Sequence, residues 1–103
     1  MKPFKLKICG QPTPVSADDF ADIEDAKERG TRMGEWCPFS DNIRLNVSLE
    51  GNAWWDTLFH EVMEKVNVVL DLNLPHANRQ RIGQFWLQFI LDNPTLIKKL
   101  LAK

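Results

Sequence analysis

The sequence has no tyrosine, only two cysteines and two histidines, and no run of lysine or arginine longer than two. Each shortage sets a class of function aside. Cys9 and Cys37 lie far apart with no C-x-x-C spacing, so a disulfide framework or dithiol redox motif is not expected and a reducing cytoplasm is the default compartment. The formal net charge is -1 and the pI is near 6.1, so there is no basic footprint for nucleic acid. No stretch approaches the roughly 18 apolar residues of a membrane span. The first residues carry Lys2, Lys5 and Lys7 without the apolar run of a signal peptide, so glycosylation at the Asn46-Val47-Ser48 sequon is not expected.

What remains is ordinary globular composition, 44% apolar and 26% charged, which predicts a folded, soluble domain. A second core would need roughly another hundred residues, so residues 1–103 are expected to form a single domain.

The first half reads as strands. Phe4 to Cys9 alternates apolar and charged residues, the pattern of a half-buried strand, and Gly10, Pro12 and Pro14 are expected to end it. Residues 16–30 are acidic and broken, with a short helical turn or irregular connection over 18–23. Met33 to Trp36 and Ile43 to Leu49 predict two strands joined by the turn-rich residues 38–42. The second of them places Ile43, Leu45, Val47 and Leu49 on one face. Residues 1–50 thus form a strand-rich lead-in.

From Trp54 the apolar spacing becomes helical, through Trp55, Leu58, Phe59, Val62, Met63, Val66, Val69 and Leu70. Asn52 is the expected N-cap, and Pro75 disfavours helical geometry at Leu74, giving a helix over 52–72. A second helix is predicted over 76–92, with Ile82, Phe85, Trp86, Phe89 and Ile90 on one face and Arg79, Gln80, Gln84, Gln88 and Asp92 on the other. Asn93-Pro94 opens a short last helix over 94–102. Trp54, Trp55, Phe85, Trp86 and Phe89 are expected in the core.

The first of these helices carries the candidate chemistry. Four residues turn a helix by about 400°, so His60 and Glu64 share a face with their heads near enough to hold one ion. Glu61 projects about 100° further round, where it can take a proton from metal-bound water without being a ligand. Hydrolytic zinc keeps three protein ligands and an open position, and two histidines with one glutamate are an accepted set. His76 is the only other histidine. A straight helix would carry it about 160° round and about 24 Å away from His60, but the break at Leu74-Pro75 permits a reversal. Cys37 or water are the other candidates for the third position. The same spacing also places His60 and Glu64 on a polar stripe with Asp56, Asn67 and Asp71, the pattern of a solvated helix face.

Residues 56–67 (Asp-Thr-Leu-Phe-His-Glu-Val-Met-Glu-Lys-Val-Asn), Leu72-Asn73-Leu74-Pro75-His76 and Phe89-Ile90-Leu91-Asp92-Asn93-Pro94 resemble small phage and prophage proteins of the zincin metallopeptidase type. In these a strand leads into a helix of the form T-L-L-H-E-[apolar]-[apolar]-[H or E], followed by a helix ending near D-N-P. The resemblance spans roughly residues 43–98. It implies an α+β minimal-zincin fold, a short antiparallel or mixed sheet followed by two long helices and a short third. It also implies Zn2+ held by His60, Glu64 and His76, with Glu61 as general base. Glu64 stands where the better-known H-E-x-x-H motif has histidine. A carboxylate adds negative charge, lowers the electrophilicity of the ion and raises the pKa of its water.

Two functions follow as expectations: a zinc-dependent peptidase acting in the cytoplasm of a phage host on a peptide or protein, or a zincin-fold module that binds a host or phage protein without catalysis. A helical domain without metal is the third and blandest reading.

Overall fold

The computed structural model describes residues 1–102 as an α+β arrangement, a mixed four-stranded sheet with three helices following it. Strand β1 (Phe4–Ile8) pairs antiparallel with β2 (Gln11–Asp18), and β2 runs parallel to β4 (Asn42–Asn46). Strand β3 (Gly34–Cys37) pairs antiparallel with β4, which makes the spatial order β1-β2-β4-β3 and leaves β3 at an edge.

The β1–β2 turn is the two residues Cys9 and Gly10, at φ 52° and 79°. Positive φ at both positions matches the right-handed twist of the flanking strands, as in a type I′ hairpin. Pro12 and Pro14, expected to end the sheet, instead lie within β2. Their shared parity puts both missing N–H groups on the side away from β1, and β4 joins that side only from Val15 onward. No ladder bond is lost.

Helix α1 (Ala26–Thr31) occupies the acidic segment, and its N-cap Asp25 accepts from the backbone N–H groups of Lys27 and Glu28. Before it the chain bends at Phe20, which has φ 57° and a fully buried ring with the Arg44 guanidinium 4.9 Å above it. The alternation expected from Ile43 to Leu49 holds for Ile43 and Leu45, both fully buried, and then fails: Val47 is exposed. Asn46 causes the break. Its side-chain amide donates to the Arg32 carbonyl at 2.7 Å and its Oδ1 accepts from the Ser48 N–H at 2.9 Å, which turns the chain out of the strand.

Helix α2 (Gly51–Val69) starts after Glu50, so Asn52 lies in its first turn and is not the cap, and the helix ends just short of the expected boundary. Its apolar face sets Leu58, with Trp54, Val62 and Val66, against Ile8, Val15, Ile43 and Leu45 of the sheet. One residue in that interface is charged. The Lys65 ammonium is 2% exposed and donates to Thr13 Oγ1 of β2 at 2.6 Å and to the Asp41 carboxylate at 2.9 Å. Asp41 sits in the β3–β4 turn and also accepts from Trp36 Nε1 at 3.0 Å.

Helix α3 (His76–Asp92) packs beside α2 and α4 (Pro94–Leu101) follows it, with Pro94 at the first helical turn as expected. The face that α3 turns inward differs from the expected one. Gly83 is buried, and a Cβ there would stand 3.2 Å from the Phe59 carbonyl carbon and 3.3 Å from the His60 nitrogen. This near-contact of backbones brings α3 in through Arg79, Gly83 and Leu87 and leaves Phe85 and Trp86 outside, about half exposed, together with Trp55 on α2. Only Trp54 and Phe89 of the aromatic set are partly buried. The radius of gyration, 14.5 Å, exceeds the roughly 13 Å of a compact domain this size, in keeping with α4 touching, among the described elements, α3 alone.

Removing one partner of a buried charge leaves the other uncompensated, typically at about 3–5 kcal/mol, toward the low end here because Asp41 is partly solvated. Asp41→Ala is therefore expected to destabilise the fold by about 3 kcal/mol in urea melts; a loss under about 1 kcal/mol would refute this role of Lys65.

Candidate metal centre

The stretch of α2 bearing His60, Glu61 and Glu64 lies between the edge strand β3 and the first turn of α3. Rotation about α2 is set by Lys65 on the sheet side, which points Glu64, one residue earlier, toward α3. The reversal at Leu74-Pro75 has the consequence that the helix break permitted. The His76 ring comes back against the His60 ring, edge to face with centroids 4.9 Å apart.

Glu64 Oε1 is the meeting point. It lies 3.3 Å from His60 Nε2, 3.5 Å from His76 Nδ1 and 2.9 Å from Arg79 Nε. One donor atom from each of His60, Glu64 and His76 falls within 4.8 Å of the other two. Zinc bonds of about 2.1 Å in tetrahedral geometry put neighbouring ligand atoms about 3.4 Å apart. Both separations from Glu64 Oε1 are already of that size, and a donor set of two imidazoles and a carboxylate suits zinc. One feature departs from common practice. His60 Nδ1 is buried with no hydrogen-bond partner, whereas a ligating histidine usually donates its second N–H to a carbonyl or carboxylate. Burial holds the His60 pKa below its ordinary value, with His76 and Arg79 acting the same way against Glu64, so the ring is kept in the neutral form that can ligate.

Glu61 is 6% exposed and stands beside this group, facing β3. Burial pushes its carboxyl up to about 7, and neighbouring Glu64 acts in the same direction, against a backbone N–H donated by Trp36. A carboxyl poised near neutrality is suited to exchange protons. Its place depends on Gly34: a Cβ there would come within 2.7 Å of Thr57 Cγ2 and 3.1 Å of Glu61 Oε2. A cleft of about 350 Å³ opens over the pair, between Met33, Gly34 and Thr57 on one wall and His76 and Gln80 on the other.

Of the residues singled out from the sequence, His60, Glu61, Glu64 and His76 are brought together. Cys37, the alternative third ligand, is not; it lines a separate cleft with Asp22, Ser40 and Arg44, where hydrogen bonds from Ser40 hold its thiol below the ordinary range. The polar stripe is divided. Asn67 Oδ1 accepts the Leu74 N–H at 2.8 Å and so helps to close the turn, while Asp71 is solvated. Sequence reasoning missed Gly34 and Arg79. Only the size of the first and the i+3 spacing of the second from His76 could have marked them.

Comparison with known proteins gave no matching family model, no matching curated protein and no matching solved structure.

Glu61 also makes a signature in stability. Its folded pKa near 7 lies above the ordinary 4.5, so the folded state keeps a proton that the unfolded state has released. Stability is then lost as pH rises from about 4.5 to about 7 and is level above that, by about 3 kcal/mol in all. Burial of His60 works in the opposite direction over an overlapping range, so the contrast with Glu61→Gln isolates the carboxyl. In EDTA, Glu61→Gln is expected to be more stable than the parent at pH 8, with little difference at pH 4.5. Parallel pH profiles for the two proteins would contradict the assignment.

Proposed function

We propose that this chain is a zinc-dependent peptidase of minimal-zincin type. The observation that carries the reading is the convergence of His60, Glu64 and His76 from two helices on one point beside a buried, near-neutral Glu61. Zinc held by those three residues would supply a Lewis acid that polarises the scissile carbonyl and acidifies water. The remaining work belongs to side chains. Glu61 takes the proton of the attacking water and delivers it to the departing amine, and its burial favours both halves of that exchange because neither protonation state is strongly preferred near pH 7.

The open cleft suits a short length of extended chain. Its wall includes Gly34 of the edge strand β3, and an edge strand is a common template for an extended peptide. The resemblance of residues 43–98 to phage and prophage zincins supports the same reading and is in keeping with activity in the cytoplasm of a host cell. Among the described residues no helix is long and apolar enough to cross a membrane.

A specific feature favours a second reading, that the chain binds a protein partner without catalysis. The aromatic face of α3 and the leucines of α4 are turned to solvent, and exposed apolar patches of this kind mark interaction sites.

The two readings separate in one experiment. Metal-free protein titrated with zinc is expected to bind one ion per chain. Glu61→Gln is expected to keep that ion and lose peptide-library cleavage by about 10²–10⁴-fold. Zinc binding with no cleavage by the parent protein would favour the binding module, and no zinc binding would sink the metal reading.

A further inference from the structure

The oxygen that faces both histidines also takes a third donor, and that donor is not a ligand. Arg79 Nε donates to Glu64 Oε1 at 2.9 Å, while Arg79 Nη1 donates to the Leu74 carbonyl at 2.6 Å. The Leu74 N–H in turn donates to Asn67 Oδ1 on α2 at 2.8 Å. These bonds form a closed circuit, from Asn67 through the turn to Arg79 and back to α2 at Glu64. His76 lies three residues before Arg79, on the first turn of the same helix, with its side chain two-thirds exposed. The Arg79 side chain is 20% exposed, so its bonds are well shielded from water.

From this we infer that Arg79 is the positioning residue of the metal site, a role that rests on the zinc reading above. It does two things. By bridging Glu64 and the Leu74 carbonyl it fixes the glutamate rotamer and holds the start of α3 against α2, which is what keeps the exposed His76 within reach of His60. By donating to the same carboxylate oxygen that faces the histidines it draws charge from that oxygen. Glu64 then acts more nearly as the neutral histidine of the common motif would, and the loss of electrophilicity that a carboxylate brings is partly offset. A lysine cannot substitute fully, because one ammonium on a flexible stem does not reproduce a planar fork spanning two acceptors.

The test compares the parent with Arg79→Met and Arg79→Lys, using zinc affinity from a competing chelator and the visible spectrum of the Co2+-loaded protein. Loss of an outer-shell partner of a ligand commonly costs 10–100-fold in metal affinity. Arg79→Met is expected to fall in that range and to lose intensity in the Co2+ bands as coordination departs from tetrahedral. Arg79→Lys is expected to lie between the two, with circular dichroism matching the parent. The Co2+ spectrum distinguishes site geometry from a general loss of stability. Should Arg79→Met fail to fold, Arg79→Lys decides alone: parent-like affinity and spectrum would overturn the role of Arg79. For a folded Arg79→Met the same result would do so, with the zinc reading intact. Absence of zinc binding by the parent protein would overturn both.

Discussion

A lysine ammonium shut between a helix and a sheet must keep its acceptors, since an uncompensated charge in an apolar layer costs far more than any single packing contact. Lys65 meets that demand with Thr13 from β2 and Asp41 from the β3–β4 turn. The two acceptors lie far apart in the chain, so the pair fixes both the position of α2 along the sheet and its rotation about its own axis. Everything at the candidate metal centre inherits that rotation. Glu61 and Glu64 lie on the same side of Lys65, about 40° and 100° round the helix, and with Lys65 turned to the sheet they are directed to the cleft and to α3. A helix rolled by one residue would carry Lys65 off its two acceptors and His60 away from His76.

The two carboxylates show how one helix can give similar groups different properties. Glu61 has the β3 backbone against it and little water, and its proton is held to near neutrality. Glu64 has an arginine and two histidines around one oxygen. A group suited to exchanging protons and a group suited to holding a cation need opposite surroundings, and the 100° step per residue of the helix supplies them within a single turn.

Much of this was legible from residue spacing, and the failures have physical reasons. The helices expected over 76–92 and 94–102 and found at His76–Asp92 and Pro94–Leu101, the β3–β4 hairpin and the shared face of His60 and Glu64 all follow from local periodicity and from prolines at helix starts, which depend on neighbours in sequence. Pro12 and Pro14 misled because a proline is excluded from a sheet only where its N–H is needed, and that depends on where β4 begins. Lys65 gave no sign of burial, since its acceptors are supplied by distant segments. The aromatic residues of α3 misled for a related reason: apolar periodicity identifies a face but not what lies opposite it, and a glycine decided which face met α2.

That glycine divides the helix into a part that is held and a part that is free. At Gly83 the separation of α2 and α3 is set by main-chain atoms, which every residue type shares, and not by the volumes of interlocking side chains. Substitutions on the outer surface of α3, including its aromatic residues, can therefore accumulate without altering the distance between His60 and His76. One helix can in this way change what it presents to its surroundings over generations while the geometry of the side-chain cluster on its inner side stays constant.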